Sequence, residues 1–86
     1  MLIINQTISA ATVITPRNGC ARHQLDFSGT TGTVSVELDA GTGFRAIHTV
    51  ELSKMDRLPL CLELEAVALR ITPSVQTTMC YMAEEA

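Results

Sequence analysis

Residues 27–50 read FSGTTGTVSVELDAGTGFRAIHTV, and this stretch decides the fold. Every second residue from Val34 to Leu38 is apolar, and the residues between them are polar. A glycine-containing turn follows at residues 39–43, and a second strand-like run occupies residues 44–50. Alternation with a period of two, bounded by glycine turns, predicts a β-hairpin with one buried face.

The turn at residues 39–43 has a superficial likeness to a calcium-binding loop. It offers one carboxylate, Asp39, where such loops supply several. A hairpin turn in which Gly41 or Gly43 takes a positive φ explains the sequence better. We therefore expect a turn here and no metal site.

Strand-like runs flank this hairpin on both sides. They are rich in β-branched residues or alternate in polarity, which favours strands over helices. Proline, glycine and asparagine separate them, because proline cannot donate to a ladder and glycine readily supplies positive φ. The predicted strands outside the hairpin are residues 2–4, as a short edge strand, then 7–15, 20–27, 60–64, 67–72 and 77–83.

The alternation slips by one residue between the leucines at 60–64 and the apolar residues at 67–71. Such a slip indicates either a β-bulge or two strands that switch sheets at a corner. A helix is the alternative, since leucine, glutamate and alanine favour one, but the approach to Pro73 favours strands.

About seven short strands separated by turns predict an all-β fold, a single small antiparallel β-sandwich of immunoglobulin-like or jelly-roll-like type. A chain of 86 residues has room for one domain, which we assign to residues 1–86. We expect residues 84–86 to form a frayed acidic tail.

Composition excludes some functions and favours others. The net charge is −3 and the six basic residues are scattered, which argues against nucleic-acid binding. No apolar run approaches the length of a membrane span, which is about 18 residues. Apolar residues make up 47% of a very short chain, so we expect some apolar surface that a partner covers.

The sequence holds no recognisable catalytic site, and we expect neither enzymatic activity nor a cofactor. His23 and His48 are the only candidates for a general base. His48 is in phase with Phe44, Ala46 and Val50, so it is expected to face inward as a core or interface residue.

The three cysteines, Cys20, Cys61 and Cys80, are widely spaced. An odd number at such spacing fits neither a disulfide framework nor a metal-ligand set. We interpret them as small buried hydrophobic residues of a chain made in a reducing cytoplasm.

Two motifs resemble a pattern found in small β-sandwich virion proteins of tailed bacteriophages. The first is the run from Phe27-Ser28-Gly29 through Gly32-Thr33-Val34-x-Val36 to Gly43-Phe44, and the second is residues 67–73, VALRITP. The chain departs from the pattern in lacking the usual tyrosine or tryptophan in the second strand, and the pattern does not account for His48.

The resemblance implies a non-enzymatic virion structural protein assembled in the bacterial host cytoplasm. A capsid decoration (cement) subunit is the first expectation, and a head–tail adaptor or tail-associated module is the next. The expected partners are other virion proteins, such as major capsid, portal or tail subunits, and further copies of the chain. Exposed strand edges invite pairing, so the candidate interface residues are Leu2, Ile3, Ile4, Met79 and Tyr81.

A different class of function is a module that recognises a carbohydrate or protein through loops at one end of the sandwich. Sugar binding usually requires exposed aromatic rings, and the chain has only three aromatic residues.

Overall fold

Eight β-strands form two antiparallel sheets in the part of the chain that the structure describes. This computed structural model describes residues 2–15, 20–54, 59–63 and 68–85. Its secondary structure within those ranges consists of strands and turns, which confirms the predicted all-β fold. The strands are β1 (Leu2–Ile8), β2 (Thr12–Ile14), β3 (Cys20–Ser28), β4 (Thr33–Asp39), β5 (Phe44–Glu51), β6 (Leu60–Glu63), β7 (Ala68–Pro73) and β8 (Thr77–Glu85).

The strands pair like one long hairpin that has been rolled up. β1 pairs with β8, β2 with β7, β3 with β6 and β4 with β5. Further pairing of β3 with β8 and of β4 with β7 completes two four-stranded sheets. We call the sheet with strand order β1-β8-β3-β6 the first sheet, and that with order β2-β7-β4-β5 the second sheet. This eight-stranded arrangement is a jelly roll, the second of the two predicted alternatives.

The predicted hairpin is the tip of the rolled hairpin. β4 and β5 pair from Thr33–Glu51 to Asp39–Phe44. One carboxylate oxygen of Asp39 accepts hydrogen bonds from the backbone amides of Gly41 and Gly43, at 2.7 and 3.1 Å. Both glycines take a positive φ, so the turn prediction is confirmed.

The strand predicted at residues 7–15 is wrong. β1 ends at Ile8 and β2 begins at Thr12, and the two strands belong to different sheets. Residues 9–11 therefore carry the chain from one sheet to the other. The composition gave no sign of this break, because nearly every residue between 7 and 15 is compatible with a strand.

The slip in alternation before β7 indicates either a β-bulge or a change of sheet, and a change of sheet is observed. β6 lies in the first sheet and β7 in the second. The alternative of a helix is wrong for residues 60–63 and 68–73, which form β6 and β7, and residues 64–67 lie outside the described residues.

The predicted frayed tail is wrong for Glu84 and Glu85, which belong to β8. In the register of β8 with β3, Glu84 is opposite Arg22 and Glu85 is opposite Cys20. Ala86 lies outside the described residues.

The inward faces of both sheets form one apolar core. Alternate residues of β3, β4, β7 and β8 point into it, as the period of a strand requires. Burying each large aliphatic side chain stabilises the fold by about 1.5–3 kcal/mol. The core cluster comprises Ile8, Ile14, Leu25, Phe27, Val34, Val36, Leu52, Leu69, Ile71, Met79, Tyr81 and Ala83.

Candidate functional site

Two of the five candidate interface residues lie in the core. β8 runs between β1 and β3, so the edge strand expected near Met79 and Tyr81 is wrong. Both side chains are fully buried. They have no surface with which to contact another chain, and their role is to pack the two sheets together.

The sequence did correctly identify an edge strand at the beginning of the chain. β1 is longer than predicted and pairs only with β8 among the described strands. The side chain of Ile3 is 56% exposed, whereas Ile4 is half-buried and packs against the core. Leu2 lies in the same strand, but its side chain is not among those described.

β1 lacks the features that normally protect a sheet edge. Natural edge strands avoid pairing with other chains by being short, by carrying charges or proline, or by containing bulges. β1 has the sequence LIINQTI and pairs with β8 over all seven residues without a register shift. It contains neither a charged residue nor a proline.

The other three edge strands each have at least one of these protections. β2 has only three residues. β6 has four residues, follows Pro59 directly and ends at the exposed Glu63. β5 carries Arg45 and Glu51 and contains a bulge. Among the described strands, β1 is therefore the edge best suited to pair with another chain.

The bulge in β5 overturns the expected phase of His48. Val36 pairs with His48, but Glu37 pairs with Ala46, so Ile47 is an extra residue. Phe44 and Ala46 consequently do not share a face with His48. His48 lies opposite the inward-facing Val36 yet is exposed, because β5 is an edge strand.

His48 lines an open cleft of about 350 Å³ between β5 and β6. Lys54, Leu60 and Cys61 also line it. A second cleft of about 270 Å³ lies on the outer face of the first sheet, around Arg22, Glu63 and Glu84. The described residues contain no group of three or more histidine, cysteine or acidic side chains that could hold a metal ion.

His23 is a core residue. It is 2% exposed, and its Nδ1 atom lies 2.7 Å from the hydroxyl oxygen of Tyr81. The two rings are stacked with their centroids 5.9 Å apart. A histidine on the apolar face of a strand is expected to be a core residue. This description fits His23 and not His48.

The expectation that the cysteines are buried is wrong for Cys61, which is exposed on β6. Cys80 is half-buried, and both thiols are free. The side chain of Cys20 is not among those described.

A pair of charged residues on the outer face of the second sheet escaped prediction. Arg70 donates hydrogen bonds to both carboxylate oxygens of Glu37, at 3.0 and 2.6 Å. These bonds, together with the charge of Arg70, hold the pKa of Glu37 below its ordinary value, although partial desolvation opposes this. The guanidinium of Arg70 also lies 4.4 Å from the centre of the Phe44 ring. This cluster connects β4, β5 and β7.

Little aromatic surface is exposed. Phe27 and Tyr81 are buried, and the guanidinium of Arg70 lies over the half-buried ring of Phe44.

The described part of the chain contains no helix long and apolar enough to cross a membrane. No protein-family model matches the sequence. No curated protein matches it either.

Proposed function

We propose that the chain is a non-enzymatic virion structural protein, and in the first place a capsid decoration subunit that stabilises the shell through contacts between subunits. The observation that carries this proposal is the open edge of β1. A seven-residue strand without charge, proline or bulge is an unusual edge for a chain that remains alone in solution.

The mechanism is geometric. The backbone amides and carbonyls on the edge of β1 that no described strand pairs accept an additional strand, which supplies main-chain hydrogen bonds. Ile3, on the outer face of the same strand, adds apolar contact area. The jelly roll behind β1 is a stiff support, because its two sheets share one densely packed core.

Two further considerations support a virion protein. The motifs around residues 27–44 and 67–73 resemble those of small β-sandwich virion proteins of tailed phages. Jelly rolls also occur in viral capsid proteins, although the same fold occurs in lectins and cupins and does not determine function. The burial of Phe27 and Tyr81 and the position of Arg70 over Phe44 make sugar recognition the weaker alternative.

A head–tail adaptor or tail-associated module would use the same edge for assembly at a different place in the virion. Co-expression with the shell and tail proteins encoded in the same genome distinguishes these positions. A decoration subunit sediments with purified shells and raises their temperature of disruption. Binding to tails or portals alone would indicate a head–tail adaptor or tail-associated module. Binding to none of these particles would contradict the proposal.

The chain offers a matched pair of variants for this experiment. Ile3 and Val13 are β-branched residues on edge strands and are 56% and 55% exposed. Ile3→Glu places a charge on the open edge, whereas Val13→Glu places it on the short edge strand β2. We expect Ile3→Glu to weaken particle binding at least about tenfold and Val13→Glu to leave it nearly unchanged, since charges on an edge oppose pairing. Equal effects would show that β1 is not the contact.

A further inference from the structure

We propose that the strand that covers β1 is the β1 strand of a second copy, so that two chains form one continuous eight-stranded sheet. The pairing is antiparallel and is centred on Asn5. This inference rests on the proposed use of β1 as an assembly edge and identifies its partner.

The charge pattern favours a second copy as the occupant. Like charges directly opposite each other destabilise a strand pair, and β1 has no charge over residues 2–8. Two copies can therefore align without repulsion along the strand. Pairing of β5 with β5 of a second copy would be interrupted by the bulge in that strand.

The remaining edges determine that the assembly closes at two copies. β2 and β6 provide only three and four residues for pairing. β5 is long enough, but its bulge and the charges of Arg45 and Glu51 oppose pairing. Among the described edges, only β1 of the other copy therefore matches β1 in length and regularity. Pairing of identical edges about a two-fold axis is self-complementary and leaves no open end from which a fibre could grow.

The pleat fixes the register. Ile4 and Gln6 lie opposite the buried residues Tyr81 and Met79, so the even-numbered residues of β1 are on the inner face. Ile3, Asn5 and Thr7 are consequently on the outer face. Directly opposite residues in a sheet share a face, so residues of equal parity must pair. Complete overlap of residues 2–8 then centres the pairing on Asn5.

This register gives compatible neighbours on both faces. On the outer face, Asn5 meets Asn5 of the second copy, where the two side-chain amides can exchange hydrogen bonds. Ile3 meets Thr7 of the second copy, and paired β-branched residues stabilise a sheet. On the inner face, Ile4 meets Gln6 of the second copy, and the half-buried Ile4 loses further contact with water.

Disulfide trapping tests both the occupant and the register. The full chain is prepared with Cys20, Cys61 and Cys80 replaced by serine, since Cys80 pairs with Asn5 inside one chain. Folding of this background is checked by circular dichroism. Asn5→Cys then places two thiols directly opposite each other, within the range of a disulfide, whose Cα atoms are about 4.4–6.8 Å apart.

Thr7→Cys is the matched control. It lies two residues away on the same face and is equally part of the exposed edge. In the proposed register it is opposite Ile3 of the second copy, so the two introduced thiols are about 13 Å apart along the strands. A mixture of Ile3→Cys and Thr7→Cys chains, in contrast, brings unlike thiols together.

We expect mild oxidation to trap Asn5→Cys as a dimer, Thr7→Cys to remain mostly uncrosslinked, and the mixture to give the mixed dimer. Monomers throughout, equal crosslinking of Asn5→Cys and Thr7→Cys, or products larger than dimers would each overturn the inference. The two proposals fail separately. A chain that binds shells as a monomer refutes self-pairing alone, and a trapped dimer without affinity for shells, tails or portals refutes the virion role alone.

Discussion

The Nδ1 atom of His23 lies 2.7 Å from the hydroxyl oxygen of Tyr81, and both side chains are buried between the sheets. This contact joins β3 to β8 in the centre of the first sheet. A buried polar group is tolerated only when it is hydrogen-bonded, because desolvation is otherwise not compensated. The pair therefore specifies how two adjacent strands align their inward faces.

We predict that Tyr81→Phe lowers the free energy of unfolding by about 1–3 kcal/mol. The substitution retains the ring and removes only the hydroxyl group that contacts His23. Urea unfolding followed by circular dichroism measures the change.

The double variant His23→Leu, Tyr81→Phe provides the control. Replacing both partners by apolar groups costs less than removing one, so the double variant should be more stable than the sum of the two single changes implies. Strict additivity would mean that the contact does not stabilise the fold.

We predict that Gly32→Ala destabilises the protein more than Gly41→Ala, by about 1–2 kcal/mol. Both glycines have a positive φ, of 86° and 112°, so both substitutions strain the backbone. A Cβ atom at Gly32 would lie 2.5 Å from Oγ of Ser74, whereas one at Gly41 meets nothing within 4 Å. Ser74 Oγ already accepts a hydrogen bond from the amide of Thr33, which limits its freedom to move.

Thermal unfolding of the two glycine variants under identical conditions tests this difference. Equal loss of stability would show that the connection between β3 and β4, which contains Gly32, adapts to the added methyl group.

We predict that Glu37 makes the stability depend on pH below about pH 5. Its pKa in the folded chain is lower than the ordinary value of 4.5, chiefly because Arg70 donates hydrogen bonds to it. A carboxylate with a lowered pKa stabilises the fold at pH values above 4.5 and loses this contribution as pH falls through the folded-state value. The stability difference between the wild type and Glu37→Gln should therefore shrink between about pH 6 and pH 3.

Urea unfolding at several pH values measures that difference. Glu51→Gln, which removes an exposed carboxylate at the end of β5, controls for the change in net charge. A difference between the wild type and Glu37→Gln that is constant with pH would indicate that the ion pair does not form in solution.

Local patterns predicted those parts of the fold that local physics controls. The alternation from Val34 to Leu38 and the glycines after Asp39 specify a strand and a turn without reference to distant residues, and both are confirmed. The slip before β7 likewise indicated an irregularity, either a bulge or a change of sheet, and the structure has a change of sheet there.

Features that depend on distant residues could not be predicted. Whether β8 is an edge or a central strand depends on β1 and β3 at its two sides, and this reversed the expectation for Met79 and Tyr81. The bulge at Ile47 exists only relative to β4. The partners Glu37 and Arg70 are 33 residues apart in the sequence, and a single-sequence pattern does not connect them.

Charge exchange across the β1 edge tests the proposed pairing of β1 with β1 of a second copy. In the proposed register, lysines at Ile3 and Thr7 face lysines of the second copy, and like charges directly opposite each other are destabilising. The variant with Ile3→Lys and Thr7→Lys should therefore be a monomer, and so should the variant with Ile3→Glu and Thr7→Glu. An equimolar mixture places each lysine opposite a glutamate.

Sedimentation velocity of the wild type, of each charged variant and of their mixture is the decisive measurement. We predict a species of twice 9.3 kDa for the wild type and for the mixture, with monomers for each charged variant alone. A wild type that remains at 9.3 kDa over the micromolar range, or a mixture that does not associate, would contradict it.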